Sequence, residues 1–214
     1  MTRVTDPPNL HFEQDLWDSG MDFVAGLDEA GRGALAGPVA VGAVIFPYDD
    51  PHLLRKLAGV HDSKQMTARQ RELCAPRIKE TALAWGIAFA DSDEIDLLGI
   101  VPATRLAGMC AIEALSQPPN FLLTDFRLEL PDSELPQISL PKGDARCLSI
   151  AAASILAKIT RDALMRELDS QYPGYGLRQN KGYGTLAHRS ALVRFGYSSI
   201  HRKSYSIKEL RSTN

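Results

Sequence analysis

Residues 24–46 read VAGLDEAGRGALAGPVAVGAVIF, and the fold turns on how this stretch is parsed. Val24, Ala25 and Leu27 lead into two acids, Asp28 and Glu29, and Val39 to Phe46 resumes as a β-branched apolar run, which predicts strand, turn, strand. The turn is Gly31-Arg32-Gly33. Neighbouring residues on a regular strand face opposite sides, so Asp28 and Glu29 serve one site only if the strand ends, bulges or twists there. Three plainer readings compete. A solvated hairpin end needs no function. A dinucleotide loop is disfavoured because Gly31, Gly33 and Gly37 are spaced GxGxxxG and lead into Pro38 and a strand rather than a helix. A P-loop is excluded by the absence of GK[ST] here.

The string from Asp28 to Val39, DEAGRGALAGPV, resembles the signature of the type 2 ribonucleases H, specifically the ribonuclease HII family. Further segments of that family's pattern follow in order: Asp62-Ser63-Lys64, the strand Phe121 to Asp125, Lys142-Gly143-Asp144, the run Ala151 to Asp162, and Lys181-Gly182-Tyr183. The resemblance spans roughly residues 22–206. Two positions depart from the pattern: Phe126 follows Asp125 where Gly is frequent, and Ala34 stands where Pro is frequent.

Composition is compatible with this. A chain of 214 residues that is 44% hydrophobic can bury a sizeable core. The net charge of −2 is unevenly spread, with 13 Lys and Arg against 5 Asp and Glu over residues 142–214, leaving 11 against 21 before them. The C-terminal third is therefore a candidate backbone-phosphate surface, or else a solvated basic face. Cys74, Cys110 and Cys147 form no CxxC, which argues against a disulfide framework or a zinc site. The N-terminus lacks the apolar core of a signal peptide, and no 18-residue apolar stretch occurs, so a soluble, cytoplasmic protein is expected.

Beyond the hairpin, a helix is expected from Thr67, its N-cap, to Thr81, and a third strand over 82–90. A helical region should run from Ser92 to about Leu115, a short strand over 121–125 should end in Asp125, and an extended stretch should cover 137–141. A central helix is expected over 147–171, and a last helix from Thr185 to about Phe195. Residues 1–21 read as an accessory arm whose helix over 11–17 packs aromatics on the domain. This order fits an α/β fold with a mixed central sheet and helices on both faces. The resemblance implies the ribonuclease H-like fold, with a catalytic core over 22–171 and a small helical C-terminal region over 172–214 across the substrate groove.

Four acids, Asp28, Glu29, Asp125 and Asp144, each lie at a predicted strand end or beside a tight turn. Clustered carboxylates favour hard cations such as Mg²⁺ or Mn²⁺. Asp144 has a simpler alternative, an ion pair with Lys142. The resemblance implies that these four are the catalytic metal ligands and that two ions act, one activating water and the other stabilising the leaving oxygen. It also implies substrate contacts at Gly31, Arg32, Gly33, Lys64, Lys158 and Tyr183. The implied activity is that of a monomeric endoribonuclease. It would cleave the RNA strand of RNA–DNA hybrids and nick duplex DNA 5′ of embedded ribonucleotides, serving ribonucleotide and RNA-primer removal. The competing expectations are a junction resolvase-like carboxylate nuclease and a non-catalytic hybrid-binding protein.

Overall fold

The computed structural model describes residues 7–205. Five strands, β1 (Val24–Ala30), β2 (Val39–Ile45), β3 (Ala84–Ala90), β4 (Phe121–Asp125) and β5 (Gln137–Leu140), form one mixed sheet in the order β3-β2-β1-β4-β5. β1 pairs antiparallel with β2 and parallel with β4, which puts the first strand at the centre of the sheet. The eight α-helices among the described residues are α1 (His11–Asp18), α2 (Leu53–Lys56), α3 (Ala68–Thr81), α4 (Ser92–Leu98), α5 (Ile100–Glu113), α6 (Leu148–Gln171), α7 (Leu177–Asn180) and α8 (Leu186–Phe195).

Alternation along the central strands divides the core in two. Ala25 and Leu27 of β1, with Val39, Val41, Ala43 and Ile45 of β2, bury against α5 through Ala103, Ala107 and Ala111. On the opposite face Val44 packs with α3 and with the alanines of α6. The small residues there serve close approach. A Cβ on Gly26 would meet the Ser149 carbonyl carbon at 2.3 Å, and one on Gly42 would meet the Ala153 carbonyl oxygen at 2.5 Å, so α6 lies backbone-to-backbone on β1 and β2.

Thr67 caps α3 as expected and does so reciprocally with Gln70. The helical region from Ser92 is two helices rather than one, because Gly99 takes φ +85° between α4 and α5. The central helix ends at Gln171, as expected, ahead of Pro173. C-terminal residues Tyr175, Leu177, Ala191 and Leu192 bury against Met165 of α6 and Ala36 of the glycine-rich turn, which fixes α7 and α8 beside that turn. Among the described residues no helix is long and apolar enough to cross a membrane, and the three cysteines are free.

Candidate active site

β1 runs in unbroken register with β2 through Asp28, Glu29 and Ala30, where the strand ends, so a bulge, one of the three ways by which the two acids could share a site, is not used. Convergence comes from the neighbouring strand. β4 ends at Asp125, one position beyond the Thr124 that pairs with Leu27, so Asp28 and Asp125 stand side by side at the next register position. The β1–β4 ladder stops at Leu27 and Thr124, so Glu29 lies beyond the last β4 pair. Carboxylate oxygens of Asp28, Glu29 and Asp125 lie within 4.8 Å of one another.

The cluster is poorly satisfied. Asp28 is buried; its Oδ1 accepts the Glu29 amide at 2.8 Å, while its Oδ2 and the Glu29 Oε2 are buried without a hydrogen-bond partner. Burial first, and the Glu29 and Asp125 charges after it, push the Asp28 carboxyl well above the usual carboxylate range, against the opposing pull of Ser154 and Lys64. Burial also raises Asp125, although its Oδ1 accepts the Gly143 amide at 2.8 Å. Unpaired acceptors of one sign gathered at a strand end suit a hard cation, and among the described residues no donor reaches these two oxygens.

Asp144 lies outside this 4.8 Å group. It sits in a 3₁₀ turn (Gly143–Ala145) and pairs through Oδ2 with Lys64 Nζ at 2.7 Å. The ion pair weighed as the simpler alternative, with Lys142, is not the one formed; Asp144 pairs with Lys64 instead. Partial burial works against the Lys64 charge, but the bond to Asp144 and the nearby Asp28 raise its pKa overall. A cleft of about 940 Å³ opens over the cluster. Every residue anticipated for the site lines it except Asp28, which lies beneath the floor; Lys158 does so while paired with Asp162 at 2.7 Å.

The Gly31-Arg32-Gly33 turn closes with the Ala34 amide on the Gly31 carbonyl at 3.1 Å. Gly31 takes φ +91°, and a Cβ there would strike Arg161 Nε at 1.9 Å. Gly33 has neither constraint: its φ is ordinary, and a Cβ added there would meet nothing within 4 Å. The Arg32 Nη1 donates to the Arg127 carbonyl at 2.9 Å, tying the turn to the chain after β4.

Two buried arginines hold this turn, and neither was singled out by sequence. Arg202 donates from Nη2 to the Gly31 and Gly37 carbonyls at 2.8 and 2.9 Å, from Nη1 to the Arg32 carbonyl at 2.8 Å, and from Nε to Gly37 at 3.0 Å. Arg161 donates to the carbonyls of Pro38, Lys181 and Ala36 at 2.7, 2.9 and 3.1 Å. Burial lowers the pKa of both, that of Arg161 to about 10. Part of the basic C-terminal third is therefore scaffold rather than phosphate surface.

Tyr183 is anchored twice. Its backbone bridges to Ala34, and its ring centroid lies 5.3 Å from Lys158 Nζ and 5.4 Å from the Arg161 guanidinium carbon. A histidine relay supports it from behind. His201 Nδ1 accepts the Ser198 amide at 3.1 Å, so its Nε2 carries the proton and donates to His188 Nε2 at 3.1 Å. His188 Nδ1 then donates to the Tyr183 carbonyl at 3.0 Å.

A family profile described as Ribonuclease HII matches residues 25–208. Ribonuclease HII of Dehalococcoides mccartyi is 50% identical over 200 residues, covering 93% of each chain. The crystal structure of ribonuclease H2 from Pyrococcus horikoshii OT3 superposes with a TM-score of 0.73 at 26% identity, covering 89% of this chain and 99% of that one. A Bst ribonuclease HIII in complex with Mn²⁺ shares the fold, with a TM-score of 0.66 at 24% identity over 86% of this chain and 67% of that one.

Proposed function

The chain belongs to the ribonuclease HII family and is a divalent-metal-dependent endoribonuclease of RNA–DNA hybrids; from that premise we propose that it also nicks duplex DNA 5′ of embedded ribonucleotides, by two-metal hydrolysis that leaves 5′-phosphate and 3′-hydroxyl ends. The observation that carries this reading is the group of three carboxylates within 4.8 Å, two of whose buried oxygens have no partner. In this reading Asp28, Glu29, Asp125 and Asp144 hold Mg²⁺ or Mn²⁺. Bound ions supply the Lewis acidity that makes water nucleophilic and offsets charge on the leaving 3′ oxygen.

The remaining roles fall to the chain's own groups. Lys64 orients the Asp144 carboxylate through the 2.7 Å bond and offers its charge to a substrate phosphate. Lys158 stands on the same cleft wall as Tyr183. Gly33 presents bare backbone to the cleft, where an amide or carbonyl can meet a 2′-hydroxyl, the one group that distinguishes RNA from DNA at a single position. Arg32 adds a charge-assisted contact to the adjoining phosphate. The flat Tyr183 ring stacks on the following deoxyribose, where a second 2′-hydroxyl would clash. Residues 172–214 serve as the substrate-facing region, contributing Tyr183. The cellular roles that follow are ribonucleotide removal from DNA and removal of RNA primers.

One assay tests the reading: a labelled duplex with a single ribonucleotide, a continuous hybrid and a four-way junction, each with Mg²⁺, Mn²⁺ or chelator. Metal-dependent cutting of the first two, with 5′-phosphate products, is expected. Cutting of the junction alone would replace the reading with a resolvase, and binding without cutting would replace it with a hybrid-binding protein.

A further inference from the structure

The longest helix starts without a cap of its own: Cys147, at the N-cap position of α6, makes no side-chain capping bond. Its first-turn amide is served from α1 instead. Glu13 Oε1 accepts the Ser149 amide at 2.8 Å and lies 3.1 Å from Cys147 Sγ, across 136 residues of sequence from Ser149. The same arm grips the approach to α6 at three more points. The Asn9 amide donates to the Arg146 carbonyl at 3.2 Å, and the Leu148 amide donates to the Asn9 carbonyl at 2.9 Å. The Arg146 guanidinium stands 4.9 Å from the centroid of the Phe12 ring. All these contacts fall on residues 146–149, and Asp144 lies just ahead of them.

A local Ser or Thr at position 147 could cap the helix for about 1 kcal/mol without burying an acid. The carboxylate used here is buried, burial raises its pKa, and its Oε2 has no partner. So costly a cap calls for a gain in position rather than in helix stability. The segment it holds leads straight to the carboxylate cluster. The Cys147 and Arg146 amides donate to the Gly143 carbonyl at 2.8 and 3.0 Å, and the Gly143 amide donates to Asp125 Oδ1 at 2.8 Å. Ser149 is also the residue that lies against Gly26, two positions before Asp28 on β1.

From this geometry we propose that Glu13 is a positioning residue for the reaction: it fixes the 143–149 segment so that Asp144 stands at the edge of the carboxylate cluster. The N-terminal arm is then a support of the active site rather than an accessory. The proposal rests on the reading of Asp144 as a metal ligand.

The test is a double-mutant cycle on the full chain. Glu13→Ala and Glu13→Gln, which keeps an acceptor for the Ser149 amide, are each made alone and with Asp144→Asn. Mn²⁺ binding is measured by calorimetry without substrate, and kcat and KM are measured on a hybrid. Glu13→Ala is expected to weaken Mn²⁺ binding about tenfold, the lower end of what outer partners of metal ligands cost, and to lower kcat with little change in KM. Glu13→Gln should restore most of both, and Glu13→Ala should cost nothing further once Asp144 is Asn. Parental Mn²⁺ affinity and kcat in folded Glu13→Ala would overturn the proposal, and so would an equal loss in both backgrounds, which marks general loosening. Should Glu13→Ala not fold, Glu13→Asp, which keeps the charge but is one methylene shorter, takes its place in the same cycle. A defect in Asp144→Asn with none in the Glu13 variants removes only the positioning role. Parental Mn²⁺ affinity in Asp144→Asn removes the ligand assignment, and the positioning role falls with it.

Discussion

Two groups of buried charge flank the glycine-rich turn, and they are satisfied to opposite degrees. On one side, Asp28 and Glu29 each keep a buried oxygen with no partner, and Asp125 adds a third like charge. On the other, Arg202 and Arg161 donate from Nε and both terminal nitrogens, almost entirely to backbone carbonyls of residues 31–38. A buried charge whose bonds are all made is structure, since removing it orphans its partners. A buried charge whose bonds are missing is costly unless a ligand completes it. The acids and the arginines therefore do different work, although their residue types alone would not separate them.

The largest effect should come from the unsatisfied side. Asp28→Asn is expected to lower the hybrid cleavage rate by about 10² to 10³ or more, because it removes charge from the proposed metal site; near-parental turnover in both Mg²⁺ and Mn²⁺ would place the reaction elsewhere. On the saturated side the effect should be on folding. Arg202→Ala leaves the carbonyls of Gly31, Arg32 and Gly37 without that donor, and urea denaturation should show a loss of about 3 kcal/mol or more. Arg202→Lys should recover little of it, since one ammonium cannot reproduce the planar fork.

A comparable loss should appear with acid. Burial, and then His188, lowers the His201 pKa from 6.5 to about 4, and burial lowers that of His188. The unfolded chain takes up these protons first, so the neutral relay's contribution is intact above about pH 6.5 and is lost as pH falls toward about 4. For His201 this amounts to up to about 3 kcal/mol. His201→Asn should flatten the pH dependence of stability over that window; an unchanged slope would mean that the relay does not stay neutral. The smallest stability effect is expected at Gly33. Gly33→Ala should fold like the parent yet cut hybrids more weakly, whereas Gly31→Ala should be destabilised by its collision with Arg161. Equal behaviour of the two variants in denaturation would erase the distinction between a glycine kept for the fold and one kept for the substrate.

Much of this was legible locally. The apolar run ending in Asp125 gave β4 its limits, and Thr67 and Thr185 marked the starts of α3 and α8, because each signal lies within a few residues of its effect. Four-residue helices such as α2 and α7 are too short to show a period. How Asp28 and Glu29 meet was not readable from β1, since it depends on where β4 stops. Nor was the work of Arg202 or Glu13: nothing in HRKSY marks Arg202 as buried, Phe12 and Leu16 place the helix against the domain without marking Glu13 as a cap, and the partners of both lie more than a hundred residues away. The Lys64 pair with Asp144 spans 80 residues in the same way.

The most direct test of the account is thermal stability against Mn²⁺ for the parent and Asp28→Asn. If the cluster is held unsatisfied for a cation, the metal-free variant should melt at or above the parent, because a like charge is gone, and Mn²⁺ should raise the melting temperature of the parent far more than that of the variant. A metal-free variant that melts below the parent, with the same rise on adding Mn²⁺, would contradict it.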